Sequence, residues 1–409
     1  MKFKTLQVGN TDLTGSRFNG QDLQIDLNRR GYDSHHLVWE KQGQNATTQE
    51  LNFPFKNAIT SSISALEKEL SVQSLLYPSA LALEQNEYFK ASDLVHYHLL
   101  HTGWFSLLSL PTLTKKKPSV FTLHDPWAAT GHCVYPRQCE RWKTGCGSCP
   151  DLDVLWAIKK DNTNLMWKIK DHIYKNSRLD VIVASKFMQD FALQSPLLSR
   201  FDLHLVPFGI DLEKFKPINY AEKRRKLGIY PDNTVICLRA SVSPFKGLEY
   251  VFEALEKLTT AKPLTILTFE ARGQFSKYLG KHQLIDLGWV ENQDDIVDAY
   301  QSSDLFLMPS TAEAFGVMAI EAMACAKPTI VFEGTSLSEV VFAPRGGISV
   351  PQGDSSALAV AMDNLIDNPE LRHAIGAQAR QLAIEHYSWN SHVNRVISVY
   401  EEVLAKPSA

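Results

Sequence analysis

Short apolar runs alternate with longer stretches of helical periodicity along the 409-residue chain, the pattern of parallel βαβ construction. In the first half the runs predict strands at Lys4–Val8, His36–Trp39, Asp93–Tyr97, Val120–Leu123, Val181–Ala184 and Leu203–Val206. In the second half they predict strands at Val235–Leu238, Leu264–Phe269, Leu305–Met308 and Pro328–Phe332. Runs such as Val181-Ile-Val-Ala184 lack polar alternation, so helices should cover both faces of each sheet. Between the halves, residues 206–217 carry two prolines, a glycine and several charges, a composition that suits a linker. The expected class is α/β: two Rossmann-like domains, 1–212 and 213–385, with parallel sheets facing across a cleft.

Charge refines this picture. Lys plus Arg (42) against Asp plus Glu (45) gives a formal −3, which is not the balance of a nucleic-acid binder, so no nucleic-acid partner is expected. Residues 104–186 nevertheless hold 13 basic and 7 acidic groups. That stretch either meets an anionic partner or is a solvated surface. The N-terminal Met1–Val8 has no apolar signal core and reads as a strand. The most apolar stretch, Leu99–Leu110, is broken by His101 and falls short of the ~18 residues of a membrane span. The expected location is the cytoplasm, with at most a peripheral membrane contact.

In open parallel sheets ligands bind beyond the carboxyl ends of the strands, so chemistry is sought there. After Leu305–Met308 the chain reads Pro309-Ser-Thr-Ala-Glu313-Ala-Phe-Gly316-Val-Met-Ala-Ile-Glu321. A helix opening near Gly316 leaves the N–H groups of Phe315, Gly316 and Val317 for an anion, helped by the helix dipole. Glu313, just outside, can accept hydrogen bonds from a sugar, and Glu321, one turn in, can reach a second hydroxylated ring such as a ribose. The plainer reading is an ordinary helix start, but buried carboxylates need partners. After Val235–Leu238 come Arg239 and Lys246-Gly247. Both cations can converge on a diphosphate and neutralise a leaving group without a metal. Either one alone reads equally as a surface residue.

Together these motifs resemble the retaining glycosyltransferases of family 4, which have the GT-B fold. The resemblance rests on Pro-Ser-x-x-Glu-Ala-Phe-Gly…Ile-Glu-Ala-Met-Ala-Cys preceded by Arg…Lys-Gly, and runs through most of the second half. It implies that Arg239 and Lys246 hold the donor diphosphate, Glu313 the transferred sugar and Glu321 the ribose. Leu287-Gly-Trp289-Val resembles the segment against the nucleotide base, and Thr335-Ser-Leu-Ser-Glu339 the phosphate-side loop. In the first half, His124 resembles the family's strand-end histidine near transferred sugar and acceptor. Gly15-Ser16-Arg17 stands where the family has a glycine-rich loop near the diphosphate, with Ser16 in place of a glycine. Phe208 and Glu270-Ala-Arg-Gly273 also depart from the pattern, which commonly has Asn and Gly-x-Gly there.

The resemblance implies an acceptor-side first domain, a donor-side second domain, and a final helix, Ser388–Leu404, crossing back onto the first. It further implies retention by front-face attack and no metal cofactor for catalysis. The donor would be a UDP- or GDP-linked sugar, the acceptor a carbohydrate or a lipid-linked one, and the setting bacterial polysaccharide synthesis. An epimerase or phosphorylase on the same frame, or a non-catalytic interaction protein, are the alternative readings.

Four of the six cysteines, Cys133, Cys139, Cys146 and Cys149, fall within an insert near 126–150, which resembles a cysteine-containing subgroup of the family. Clustered thiols of this spacing suggest a structural Zn²⁺ with His132 in reserve; free thiols and disulfides remain the alternatives. Beyond the insert, Trp156 and the mixed apolar and lysine-rich stretch Leu165–Tyr174 could rest on an anionic bilayer together with Lys115–Lys117, or form an ordinary domain helix.

Overall fold

The computed structural model describes residues 2–13, 19–101, 103–271, 273–290 and 292–407. The chain divides into two units, Met1–Val206 with Val393–Ala409, and Pro207–His392.

The first unit carries β1 (Lys4–Thr11), β2 (Asp33–Glu40), β3 (Thr48–Glu50), β4 (Leu94–His98), β5 (Ser119–Leu123), β6 (Asp180–Val183) and β7 (Asp202–Leu205). They form one sheet in the order β3-β2-β1-β4-β5-β6-β7. The second unit carries β8 (Thr234–Arg239), β9 (Leu264–Phe269), β10 (Gln283–Asp286), β11 (Leu305–Met308), β12 (Thr329–Phe332) and β13 (Gly347–Val350), in the order β10-β9-β8-β11-β12-β13. Every named pairing is parallel. All residues of β5, β9, β11 and β12 are buried, as expected for uninterrupted apolar runs covered on both faces.

Three strands escape the apolar-run reading: β3, β10 and β13. β3, β10 and β13 lie at sheet edges, where one flank is solvated and polar letters cost little. Each sheet reverses direction at one place. In the second unit it lies between β8 and β11, so the loops leaving these neighbours diverge and open a crevice at their carboxyl ends.

The units part at Val206/Pro207, six residues before the expected boundary. Gly209 and Ile210 are held by the second unit. Ile210 donates to the Tyr387 carbonyl and accepts from the Trp389 N–H, both at 2.9 Å. A side chain at Gly209 would meet the Ser388 carbonyl oxygen at 2.8 Å. The terminal helix spans Trp389–Ala405, and its residues from Val393 belong to the first unit. There the Tyr400 hydroxyl lies 3.1 Å from Gln7 and 2.7 Å from His96.

Candidate functional site

In the second unit, the loop after β8 and the loop after β11 interlock. Gly247 has φ 65°, and a Cβ there would run into the Pro309 carbonyl oxygen, so only glycine lets the two loops touch. The Thr311 N–H donates to the Phe245 carbonyl at 2.9 Å. This contact brings Lys246 to Glu313, with Nζ donating to Oε2 at 2.7 Å. Both side chains are largely enclosed, at 27% and 14% exposure.

The Glu313 loop is fastened from behind by Ser336, whose Oγ lies 3.0 Å from the Glu313 carbonyl and 3.1 Å from that of Phe315. Gly316, at φ 99°, caps the helix Val317–Ala324; a Cβ there would collide with Leu337. The N–H groups of Phe315, Gly316 and Val317 thus open a helix beside the Lys246–Glu313 pair, with no intrahelical acceptors of their own. Phe208, the linker departure, packs edge-on against Phe315 at 5.3 Å.

Arg239 ends β8 with its side chain 39% exposed, and it already has a carboxylate partner. Its Nε donates to Glu270 Oε2 at 3.0 Å, and its guanidinium lies 5.9 Å from the Trp289 ring. Glu270 follows β9 and Trp289 follows β10, so three adjacent strand ends build this cluster. Glu270 adopts φ 65°, which explains why glycine suits this position. Trp289 is 60% exposed, a free aromatic face.

Glu321, one turn into the helix Val317–Ala324, is 2% exposed and accepts a hydrogen bond from the Tyr300 hydroxyl at 3.0 Å. Tyr300 is fully buried, and burial followed by the Glu321 charge pushes its phenol well above the usual range, so it stays a donor. Tyr300 carries no motif signal, because its letter fits any amphipathic helix; Ser336 lies in the Thr335–Glu339 segment, where a polar letter alone does not reveal what it fastens.

In the first unit His124 follows β5, its ring 5.8 Å from that of His98. Burial lowers its pKa to about 4, opposed by Asp125 and assisted by His101, so the imidazole is neutral near pH 7. Gly15, Ser16 and Arg17 lie outside the described residues.

Cys133, Cys139, Cys146 and Cys149 are free thiols lining one cavity of about 20 Å³ with His132. The Gly131 N–H points to Cys146 Sγ at 3.3 Å. Among the described residues, however, no group of three or more His, Cys, Asp or Glu is placed to hold a metal ion. The thiols are neighbours without the convergence that tetrahedral zinc requires.

The lysine-rich stretch, Thr163–Lys175, is a domain helix. Met166, Lys170, Ile173 and Tyr174 are buried, whereas Leu165 is exposed. Lys170 is itself buried, donating to the carbonyls of Trp127 at 2.7 Å and Thr130 at 2.8 Å. Lys116 and Lys117 are engaged too, with Glu84 and with the Lys90 and Ser92 carbonyls. Among the described residues no helix is long and apolar enough to cross a membrane.

Residues 27–214 match the family model described as Glycosyltransferase Family 4, and residues 219–382 the one described as Glycosyl transferases group 1. Among curated relatives, the MMP alpha-(1->4)-mannosyltransferase of Mycolicibacterium hassiacum is 26% identical over 234 residues, 55% of this chain and 53% of that protein. A D-inositol 3-phosphate glycosyltransferase of Saccharomonospora viridis is 27% identical over 213 residues, 48% of this chain and 49% of that protein. The chain thus spans about half the length of the curated relatives it matches. In structure, Anabaena HepE, solved in complex with UDP and glucose, superposes with a TM-score of 0.70 at 16% identity, covering 98% of this chain and 100% of that one. The two family matches together span well over half of the sequence. The chain belongs to the family 4, group 1 glycosyltransferases and has the GT-B fold, built from two Rossmann-like units.

Proposed function

We propose that the chain is a retaining glycosyltransferase that moves a sugar from a UDP- or GDP-linked donor to a carbohydrate or lipid-linked acceptor, in bacterial cell-surface polysaccharide synthesis. The observation that carries this reading is the Lys246–Glu313 pair beside the start of a helix, at the point where the second sheet reverses. A cation and helix N–H groups suit a diphosphate, and a carboxylate next to them suits a hydroxylated ring. Relatives named as mannosyltransferase and inositol-phosphate glycosyltransferase, and a neighbour holding UDP and glucose, support the same class.

In this reading the second unit takes the donor and the first the acceptor. The diphosphate displaces the two carboxylates from Lys246 and Arg239 and binds the cations in their place. Glu313, released, accepts hydrogen bonds from the transferred sugar, and Trp289 offers its exposed face to the base. The anomeric carbon–oxygen bond to the diphosphate breaks, and the acceptor oxygen bonds to the same face of that carbon. The acceptor proton passes to the departing phosphate oxygen. Lys246, Arg239 and the helix start stabilise the charge that develops on that phosphate. Neutral His124 donates a hydrogen bond to the sugar or to the phosphate. Glu321, tied to Tyr300, shapes the wall of the ribose site.

A thermal-shift screen against nucleotide sugars tests the donor, because a ligand that binds only the folded state raises its midpoint. Stabilisation by a UDP- or GDP-sugar, followed by a product of unchanged anomeric configuration in NMR, is expected. Inverted product, or donor isomerisation without acceptor, overturns the reading.

A further inference from the structure

We propose that Trp156, His101 and Asp125 form a sugar-binding subsite on the first unit that takes a neutral pyranose ring of the acceptor. The inference rests on the proposed transferase reading for the class of ligand, and on the following geometry for the site.

Leu155 and Trp156 are consecutive non-glycine residues with positive φ, 39° and 59°. L side chains rarely take this conformation, and where it persists the surroundings enforce it, most often at ligand sites. The result is that Trp156 is turned outward rather than into the core: it is 42% exposed. Its ring stands over His101, with centroids 5.1 Å apart and planes at 63°.

His101 is held rigidly. Its other side stacks on the buried Trp127 at 4.9 Å and 22°. Its Nε2 lies 3.0 Å from Asp125 Oδ2, and Asp125 is fixed in turn by the Trp127 N–H, which donates to Oδ1 at 2.9 Å. With Nε2 turned to the carboxylate, Nδ1 is the ring's remaining hydrogen-bonding atom. Among the described residues Nδ1 has no partner. The side chains of His101 and Asp125 are 6% and 12% exposed, so the pair is enclosed beneath the tryptophan.

An exposed indole beside an oriented imidazole matches the two sides of a pyranose. The apolar C–H face of the sugar lies on the aromatic ring, and one hydroxyl hydrogen-bonds to the imidazole. His101 follows β4 and Asp125 follows β5, neighbouring strands of the first sheet, so the subsite lies at the ligand-binding edge. The strained pair comes just after the cysteine insert, which gives that segment a role beyond connection.

The test is ligand-observed saturation-transfer NMR on the full chain. The probes are the methyl glycosides of glucose, galactose, mannose and N-acetylglucosamine at millimolar concentration. Transfer to at least one glycoside is expected, lost in Trp156→Ala and kept in Trp156→Tyr, with His101→Gln weakening it about tenfold, as for a single uncompensated hydroxyl contact. No transfer in the wild-type chain, or equal transfer in Trp156→Ala, overturns the inference. Thermal shifts with UDP and GDP in the same samples separate the two readings. A nucleotide shift without glycoside transfer removes only this subsite. Glycoside transfer without any nucleotide shift removes the proposed transferase and leaves the subsite standing.

Discussion

Lys246 and Glu313, 67 residues apart in sequence, meet at 2.7 Å. Each is the other's counter-ion while both are largely enclosed. In the proposed reading, binding of the donor exchanges this internal pair for contacts of both residues with the ligand.

Lys246→Ala and Glu313→Ala should each lower transfer by roughly two to three orders of magnitude, the size of one lost transition-state contact in an enclosed site. The double variant should lose little more than either single one, because the two act as a unit. Unfolding midpoints should move little, since a partly exposed pair contributes about 1 kcal/mol or less. Near-wild-type turnover in either single variant contradicts the role.

Gly247→Ala should destabilise the second unit by roughly 1–3 kcal/mol, through positive φ and the collision with the Pro309 carbonyl oxygen. Chemical denaturation measures this. Transfer should fall as well, because relief of the clash separates Lys246 from Glu313.

Tyr300→Phe removes a hydroxyl that donates to the buried Glu321 and should cost about 1–3 kcal/mol. Its kinetic mark should be a raised KM for the donor with kcat less affected, as expected for a residue that shapes a ribose wall. An unchanged KM would separate Glu321 from donor binding.

Stability should fall as the solution is acidified. Burial lowers His36, His124 and His132 to about 4 from 6.5. A folded-state pKa below the unfolded one means the unfolded chain takes up protons first. The contribution is therefore complete above pH 6.5 and is lost as pH falls towards 4, at up to about 1.4 kcal/mol per pH unit for each histidine. Denaturant midpoints across this range check it; replacing His124 with an apolar residue of similar size should flatten the profile.

Chelation should leave transfer unchanged, because Arg239, Lys246 and a helix start supply the positive charge that the leaving diphosphate needs. A large loss in EDTA, with the melting temperature intact, contradicts this.

Much was legible in the letters alone. Apolar runs without polar alternation could only be buried parallel strands, and Glu313, Lys246 and Arg239 declared themselves by their place after such runs. Gly247 and Gly316 marked the loops that need left-handed backbone. These are local properties, carried by neighbours in sequence.

What the letters could not decide was who faces whom. Arg239 pairs with Glu270, Glu321 turns inward to Tyr300, and Ser336 fastens the Glu313 loop. Four cysteines share a cavity without forming a coordination shell, and the lysine-rich helix spends its apolar face on the core. Each of these depends on residues brought together across a sheet, where burial and hydrogen-bond satisfaction choose among partners that composition leaves equivalent. The sequence by itself determined the central strands, the family and the candidate charged groups; only the tertiary structure decided the edge strands and the pairings, because pairing energy is a matter of distance in space and not along the chain.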